Sequence, residues 1–314
     1  MRIFRSLEEL KSLGPVVATI GNFDGVHRGH QWVINQVNHR AHELGLKSLA
    51  ITFEPHPVRV LRPEAPHSMI TTLGQKLELL GATGIDATLV LPFTTALSRL
   101  SPEEFARDVL RDACCIREVH EGETFRFGYE ASADMHGLEA LGESLGFGVR
   151  AYSPHLLRGA PVSSSRIRTL ISAGAVSKAR ALLGRSFAIR STPASGRGFG
   201  TRYTVPTINL APYTELLPAL GVYVTTLSVG GECFNAVTNV GNRPTFGEDS
   251  FTVESHLLNF HPIELRKDTP LELSFLHRLR PEIRWPSPEA LKAQIDRDVA
   301  KATRFFALCE ALRS

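Results

Sequence analysis

Between Pro15 and about Ser153 the chain alternates short apolar runs with segments of helical spacing, and this alternation constrains the fold more than any other feature. PVVATIG, KSLAITFEP, DATLVLPF, IREVHEG and GVRAYSP read as strands. QWVINQVNHRAHELG, LGQKLELLGATG, PEEFARDVLRDA and a segment around Met135 to Leu145 read as the helices between them. Ser101 and Pro102 start one of these helices with a good cap and a proline at the first helical position. Such alternation predicts a parallel sheet with helices on both faces, and in that architecture ligands bind beyond the carboxyl ends of the strands.

The pattern changes after SSSRIRTLISAGAVSKARALLGRSF. Beyond Phe187 come GVYVTTLSVGG, ECFNAVTNVG, SFTVESHLLNF and PLELSFLHRLR, separated by turn residues, and helical spacing returns only in SPEALKAQIDRDVAKATRFFALCEAL. Strands followed by one terminal helix predict a small β-barrel or sandwich capped by that helix. A chain of 314 residues accommodates two domains, and the change of pattern divides it into 1–184 and 185–314.

Composition narrows the function. With 35 basic against 32 acidic residues, the net charge of +3 gives no strong basic stripe, so nucleic acid is not an expected partner. No apolar run approaches membrane-spanning length, and MRIFRSLEELKSLG carries acids and lacks an apolar core, so neither a membrane nor a secretory signal is expected. Cys114, Cys115, Cys233 and Cys309 form no CxxC pair and read as reduced core thiols of a cytoplasmic protein.

The chemistry concentrates in GNFDGVHRGH, where the first strand hands over to a helix. Gly21, Gly25 and Gly29 let backbone come close to a bulky anion, and the helix that follows aims its amides and dipole at it. His27 and His30, three residues apart, share one face of the first turn, where imidazole N–H groups stabilise charge growing on a phosphate. A turn with two surface histidines is the alternative, and the strand-to-helix context favours phosphate chemistry, which asks for positioning and charge neutralisation rather than a protein nucleophile.

GNFDGVHRGH resembles the HxGH signature of the nucleotidylyltransferase superfamily, in the form found in bacterial bifunctional riboflavin kinase/FAD synthetases. Downstream, VSSSRIRTL is similar to that family's ISSTxIR. The resemblance implies a Rossmann-like α/β domain in which Gly21, Asn22, Phe23, Asp24, Gly25 and Gly29 surround the ATP phosphates with the two histidines. Ser163, Ser164 and Ser165 would cap a helix and hold phosphate oxygens, and Arg168 would supply a fork for the triphosphate. ITFEPHPVRVL resembles a loop that puts Pro55, His56 and Pro57 at the flavin end. GETFRFG resembles GxDFRFG, placing Thr124, Phe125 and Arg126 against nucleotide and flavin, with Thr124 bringing a hydroxyl where the family has Asp or Asn.

The second half is similar to the riboflavin kinase module, a small β-barrel with a C-terminal helix. TVPTINL resembles GFPTANL, which implies that Thr207 and Asn209 hold ATP-bound Mg²⁺ through hard oxygens. NVGNRPTF keeps its family place, and TVESHLLNF resembles VExHLLDF, putting Glu254 at the position of the base that takes the ribityl hydroxyl proton. Departures fall at Ser191, Pro193, Thr204, Asn259 and the ELRK segment, 264–267.

The resemblance implies a bifunctional enzyme that phosphorylates riboflavin with ATP, giving FMN and ADP, and adenylylates FMN to FAD with release of pyrophosphate. Mg²⁺ would serve both sites, and the protein would be a monomer or weakly self-associating. Three alternatives stay open: an FMN adenylyltransferase whose barrel binds flavin without kinase activity, a nucleotidylyltransferase for another acceptor such as a pantetheine or nicotinamide phosphate, which would not be expected to carry PTxN and the downstream glutamate, and a non-catalytic flavin or nucleotide sensor.

Overall fold

The computed structural model describes residues 1–194, 202–203, 206–242 and 251–312. Thr204, most of the glycine-rich stretch and 243–246 of NVGNRPTF lie outside the described residues. Two compact units divide between Ser164 and Ser165.

The first unit is built on a six-stranded, all-parallel sheet. Its strands are β1 (Arg2–Phe4), β2 (Val16–Ile20), β3 (Lys47–Glu54), β4 (Ala87–Pro92), β5 (Ile116–Gly122) and β6 (Gly148–Tyr152), in the order β1-β4-β3-β2-β5-β6. VVATI is buried at every position because β2 is central and helices cover both faces. Burying each such Val or Ile side chain contributes about 1.5–3 kcal/mol. Gly148–Tyr152 lies at an edge, so its side chains stay largely exposed. From β2 the chain winds outward through β3 and β4, then returns to the other side of β2 as β5. The order reverses between β2 and β5, and a crevice opens at their carboxyl ends.

The connections are α1 (Leu7–Leu10), α2 (Arg28–Glu43), α3 (Pro57–Leu61), α4 (Leu73–Gly81), α5 (Thr95–Ser98), α6 (Pro102–Glu104) and α7 (Met135–Leu145). Side chains cap several of them: Thr72 and Gln75 form a capping box on α4, Ser101 and Glu104 one on α6. PEEFARDVLRDA starts as expected from Ser101 and Pro102 but becomes a π-helix over Phe105–Ala113, which sets Phe105, Ala106, Val109 and Leu110 into the core. Gly128 cannot be replaced here. Its φ is +76°, and a Cβ would meet the Pro102 ring at 2.5 Å. β1, a three-residue strand, was not expected.

The second unit begins with α8 (Ser164–Ser172, all but its first residue) and α9 (Val176–Leu183); the short hairpin β7 (Leu156–Leu157) and β8 (Ala160–Pro161) precedes them in the first unit. The Ser177 hydroxyl of α9 donates to the Leu276 carbonyl at 3.1 Å. The strands β9 (Phe187–Ser191), β10 (Arg202–Tyr203), β11 (Thr207–Asn209), β12 (Gly221–Val229), β13 (Glu232–Asn242), β14 (Phe251–Leu257), β15 (Ile263–Glu264) and β16 (Leu271–Pro281) follow. Six of them make an antiparallel sheet in the order β11-β14-β13-β12-β16-β9, and β10 pairs with β15. The sheet is a curled half-barrel whose outer strands are tied at their ends. Ala194 N–H donates to the Asn209 carbonyl at 2.8 Å, and Ala211 N–H to that of Thr192 at 2.7 Å.

Tyr223, Phe275, Phe187 and Phe234 fill its interior. A chain of buried hydroxyls crosses three strands: Ser255 to Thr238 at 2.8 Å, and Thr238 to Thr225 at 2.7 Å. The terminal helix α10 (Pro288–Ala311) starts at the Ser287 cap and lays Val299, Ala302, Phe305 and Phe306 over Val222, Val224 and Val237. The four cysteines are free thiols, but only Cys114 is core; Cys115 and Cys233 are exposed because one sits in a turn and the other starts an exposed strand end.

Candidate functional sites

The crevice between β2 and β5 in the first unit is a cavity of about 310 Å³. Thr19 and Ile20 end β2 on its wall. His27, Gly29, His30 and Trp32 come from the start of α2, Glu121 to Phe125 from the end of β5, and Ser163 and Ser164 from the start of α8.

His27 is the N-cap of α2, and its Nδ1 accepts the His30 backbone N–H at 3.3 Å. The neutral ring therefore carries its proton on Nε2, a donor for an anion. The two rings stack with centroids 3.6 Å apart and planes inclined by 16°. Gly29 permits the stack, since a Cβ there would meet the His27 ring at 3.2 Å and the Val162 carbonyl at 3.5 Å. Burial holds His30 well below the ordinary histidine range, helped by His27 and by Lys76, so it stays neutral. Its buried Nδ1 has no hydrogen-bond partner among the described residues. The pair places two imidazoles, His30 held neutral by burial, at a helix N-terminus, the equipment for stabilising an anion in a poorly solvated place.

The turn leading to the pair is held largely by residues that do not line the cavity. Asp24 is buried and accepts from the Ile70 N–H at 2.9 Å and the Thr71 N–H at 3.2 Å. Gly25 N–H donates to the Thr71 hydroxyl at 3.0 Å. Phe23 packs with Val26, Ile34, Ala50, Leu80 and Ile85, and its ring meets His30 edge to face with centroids 5.2 Å apart. Lys76 is buried too, its ammonium donating to the Asn22 carbonyl at 3.3 Å and the Thr52 hydroxyl at 3.2 Å. Burial pulls its pKa down, against Glu54 and Asp24. The Ser164 hydroxyl donates to the Asp24 carbonyl at 2.9 Å, joining the two motif segments directly.

A polar relay borders the same cavity. The Arg40 guanidinium holds Glu118 down to about 2, through bonds of 2.7 to 3.0 Å. Burial lowers His120, which lies 3.1 Å from Glu118 through Nε2 and 2.9 Å from the Tyr152 hydroxyl through Nδ1. A neutral His120 then donates to Glu118 and accepts from Tyr152. The Tyr152 ring, edge-on to Trp32 at 4.9 Å, is thereby fixed on the cavity wall.

The second unit has its own cavity, of about 410 Å³. Strand register builds its polar corner. Glu254 of β14 pairs with Asn209 of β11 on one side and Asn239 of β13 on the other, and His256 pairs with Thr207. Cross-strand partners share a face, so these side chains converge. Thr207 Oγ1 lies 3.3 Å from His256 Nδ1. Opposite, Arg280 donates to Asp298 at 2.8 Å, Gln294 donates to the other Asp298 oxygen at 2.9 Å, and the guanidinium stands over the Trp285 ring at 5.5 Å. Thr207, Asn209 and Glu254 offer hard oxygen donors. The described residues contain no cluster of three His, Cys, Asp or Glu that would cage a metal alone. This donor set fits Mg²⁺ carried largely by phosphates.

Phe23, His27, Gly29, His30, Ser163, Ser164, Thr124 and Phe125 all line the first cavity, while Gly21, Asn22, Asp24 and Gly25 form the turn without reaching its wall. Arg126 is exposed, with Nε donating to the Ala131 carbonyl at 3.0 Å. Pro55 follows β3, Pro57 starts α3, and His56 caps that helix by accepting from the Val58 N–H at 3.2 Å; none of the three lines the cavity. Ser165 and Arg168 stand on α8 beyond the division between the units. Thr207 and Glu254 line the second cavity, and Asn209 joins them by register. Sequence reasoning missed Lys76, Glu118, His120, Glu121, Tyr152, Asn239, His256, Arg280 and Asp298. IREVHEG holds four charged or titratable residues, Arg117, Glu118, His120 and Glu121, so nothing in the string singled out His120 and Glu121 as the buried ones.

The profile of the FAD synthetase family matches residues 10–166, and that of the riboflavin kinase family matches residues 183–306. The chain is 36% identical over 304 residues to the bifunctional riboflavin kinase/FMN adenylyltransferase of Pseudomonas fluorescens, covering 96% of this chain and 97% of that protein. It is 30% identical over 318 residues to the protein of the same description from Escherichia coli K12, covering 98% and 99%. Among solved structures, one titled a macrolide-efflux protein, from Streptococcus pneumoniae, superposes with a TM-score of 0.83 at 25% identity, over 96% of this chain and 98% of that one. No helix among the described residues is long and apolar enough to cross a membrane.

Proposed function

The chain belongs to the bifunctional riboflavin kinase/FMN adenylyltransferase family, and from that premise we propose how its residues divide the two reactions. It phosphorylates riboflavin to FMN with ATP and adenylylates FMN to FAD. We assign adenylyl transfer to 1–184 and the kinase to 185–314.

In adenylyl transfer an FMN phosphate oxygen forms a bond to the α-phosphorus of ATP as the bond to pyrophosphate breaks. His27 donates from Nε2 and, with His30, stabilises the charge that builds on the phosphoryl oxygens. Ser163 and Ser164 hold the phosphates at the start of α8, and the motif resemblance adds Ser165 and Arg168 on the pyrophosphate side. Thr124 and Phe125 face the nucleotide or flavin. Pro55, His56, Pro57 and Arg126 keep the flavin-binding role implied by resemblance. The stacked histidine pair at the β2–β5 crevice carries this reading most directly.

In the kinase, Glu254 accepts the ribityl hydroxyl proton as that oxygen attacks the γ-phosphorus and ADP leaves. Thr207 and Asn209 would hold Mg²⁺, which neutralises phosphate charge when bound. ATP, ADP, riboflavin, FMN, FAD and pyrophosphate are the ligands, the compartment is the cytoplasm, and the working form is a monomer or a weak assembly.

A time course with riboflavin, ATP and Mg²⁺ tests both halves. FMN should rise first and FAD follow. FAD from supplied FMN but none from riboflavin would assign the barrel a binding role only. Failure to make FAD from FMN would overturn the adenylyl-transfer reading.

A further inference from the structure

One buried acid in the first cavity has no part in that scheme. Glu121 ends β5 on the cavity wall and is only 6% exposed. Both bonds to its carboxyl land on one oxygen: the Thr19 hydroxyl donates to Oε1 at 3.0 Å, and the Ile20 N–H donates to the same atom. Oε1 takes both of these bonds and none is made to Oε2 among the described residues, while Glu121 itself lines the cavity. Among the described residues no lysine or arginine pairs with Glu121. An ionised carboxylate in this position would repel the polyphosphate that the histidines are placed to hold.

We propose that Glu121 is a further nucleotide-binding residue of the adenylyl-transfer site: held as a neutral carboxylic acid, it donates its Oε2 proton to an acceptor atom of the bound nucleotide. Burial supplies the neutrality, pushing the carboxyl up to about 8 against the two hydrogen bonds that favour its charged form. The titratable groups that share the cavity are His27 and His30 at the start of α2, Glu123 just past β5, Tyr152 at the end of β6 and His155 beyond it. β2 contributes only a hydroxyl and backbone. His30 is held neutral, so no fixed cation opposes Glu121 from that side. A protonated acid adds a donor beside the imidazoles and hydroxyls that already line the cavity, without placing a negative charge at that position.

This inference rests on reading the cavity as a nucleotide site, and the test separates the two. The FMN-to-FAD reaction of the full chain is followed from pH 6.5 to 9, with kcat and KM for ATP taken separately. In the unsubstituted protein, kcat/KM for ATP should fall about tenfold per pH unit above about 8, through KM. Glu121→Gln keeps a donor that cannot titrate, and should remove that alkaline limb. Glu121→Val fills the same space without a donor, and should raise KM about tenfold at pH 7 with kcat little changed. Competitive inhibition by pyrophosphate and by adenosine identifies the acceptor: whichever shows the alkaline limb holds the atom that Glu121 meets. An alkaline limb that persists in Glu121→Gln, or a Glu121→Val enzyme with unaltered KM, would overturn the assignment. No FAD at any pH in the unsubstituted protein would instead overturn the proposed function.

Discussion

His27 and His30 are stacked at 3.6 Å while Nδ1 of the first accepts the backbone N–H of the second, so one side chain both caps α2 and offers its remaining nitrogen to a ligand. The two duties can be separated. His27→Asn keeps a good cap acceptor but has no Nε2–H in the same place. It should fold within about 0.5 kcal/mol of the unsubstituted protein and lose adenylyl transfer by about 10²–10³-fold, with riboflavin phosphorylation intact. His27→Ala should lose the cap as well, costing about 1 kcal/mol more. Thermal denaturation and paired FMN and FAD assays check this.

Gly29→Ala introduces a methyl group 3.2 Å from the His27 ring, tighter than ordinary contact. The ring cannot retreat without leaving His30, so the stack should open. We expect a stability loss of about 1–2 kcal/mol by denaturant titration and a raised KM for ATP in FAD formation only.

Glu121 gives the protein a pH-dependent stability of definite sign. Its carboxyl titrates near 4.5 when the chain is unfolded and at about 8 in the fold. The folded state therefore holds the proton more tightly, and the contribution is complete below pH 4.5 and is lost as pH rises through 8. Its size is on the order of 3–5 kcal/mol. Glu121→Gln should gain stability relative to the unsubstituted protein between pH 5 and pH 8.5, seen as midpoints that diverge across that range. Parallel midpoints would contradict the burial argument.

Glu254→Gln should abolish most riboflavin phosphorylation, by about 10²–10⁴-fold, while FAD formation from supplied FMN continues. Glu254 is exposed and sits between two asparagines in register, so the melting temperature should hardly move. A protein that lost both activities and its fold would contradict this division of labour.

Asp298→Ala removes the acceptor from a nearly buried ion pair: the Asp298 side chain is 2% exposed and that of Arg280 15%. Leaving Arg280 without its partner should destabilise the second unit by about 3–5 kcal/mol, and replacing both residues with apolar ones should recover much of it. Unfolding of the four variants, read as a double-mutant cycle, measures the coupling.

The sequence made the parallel sheet legible because VVATI, KSLAITFE and ATLVLP carry mostly apolar runs without strict alternation, as strands covered on both faces require. β1 escaped because three residues, Arg2–Phe4, carry no period, and the π-helix escaped because apolar spacing reads the same for α and π turns over so short a stretch. Of the site, local motifs were readable: His27, His30, Ser164 and Glu254 stand in recognisable strings. Lys76, Arg280 and Asp298 were not, since a lysine in LGQKLELL looks like a solvated helix residue until a neighbouring turn presents carbonyls to it. Pairings such as Asn239 with Glu254 depend on strand order, which no single segment records.

Asp24 shows what that hidden layer does. An acid so close to the two histidines would work against an anion bound beside them. Its charge is instead absorbed by amides at Ile70 and Thr71, 46 and 47 positions along the chain. The acid works as a rivet between two distant stretches of backbone, and the turn that presents the imidazoles keeps its shape through a segment bearing none of the motif.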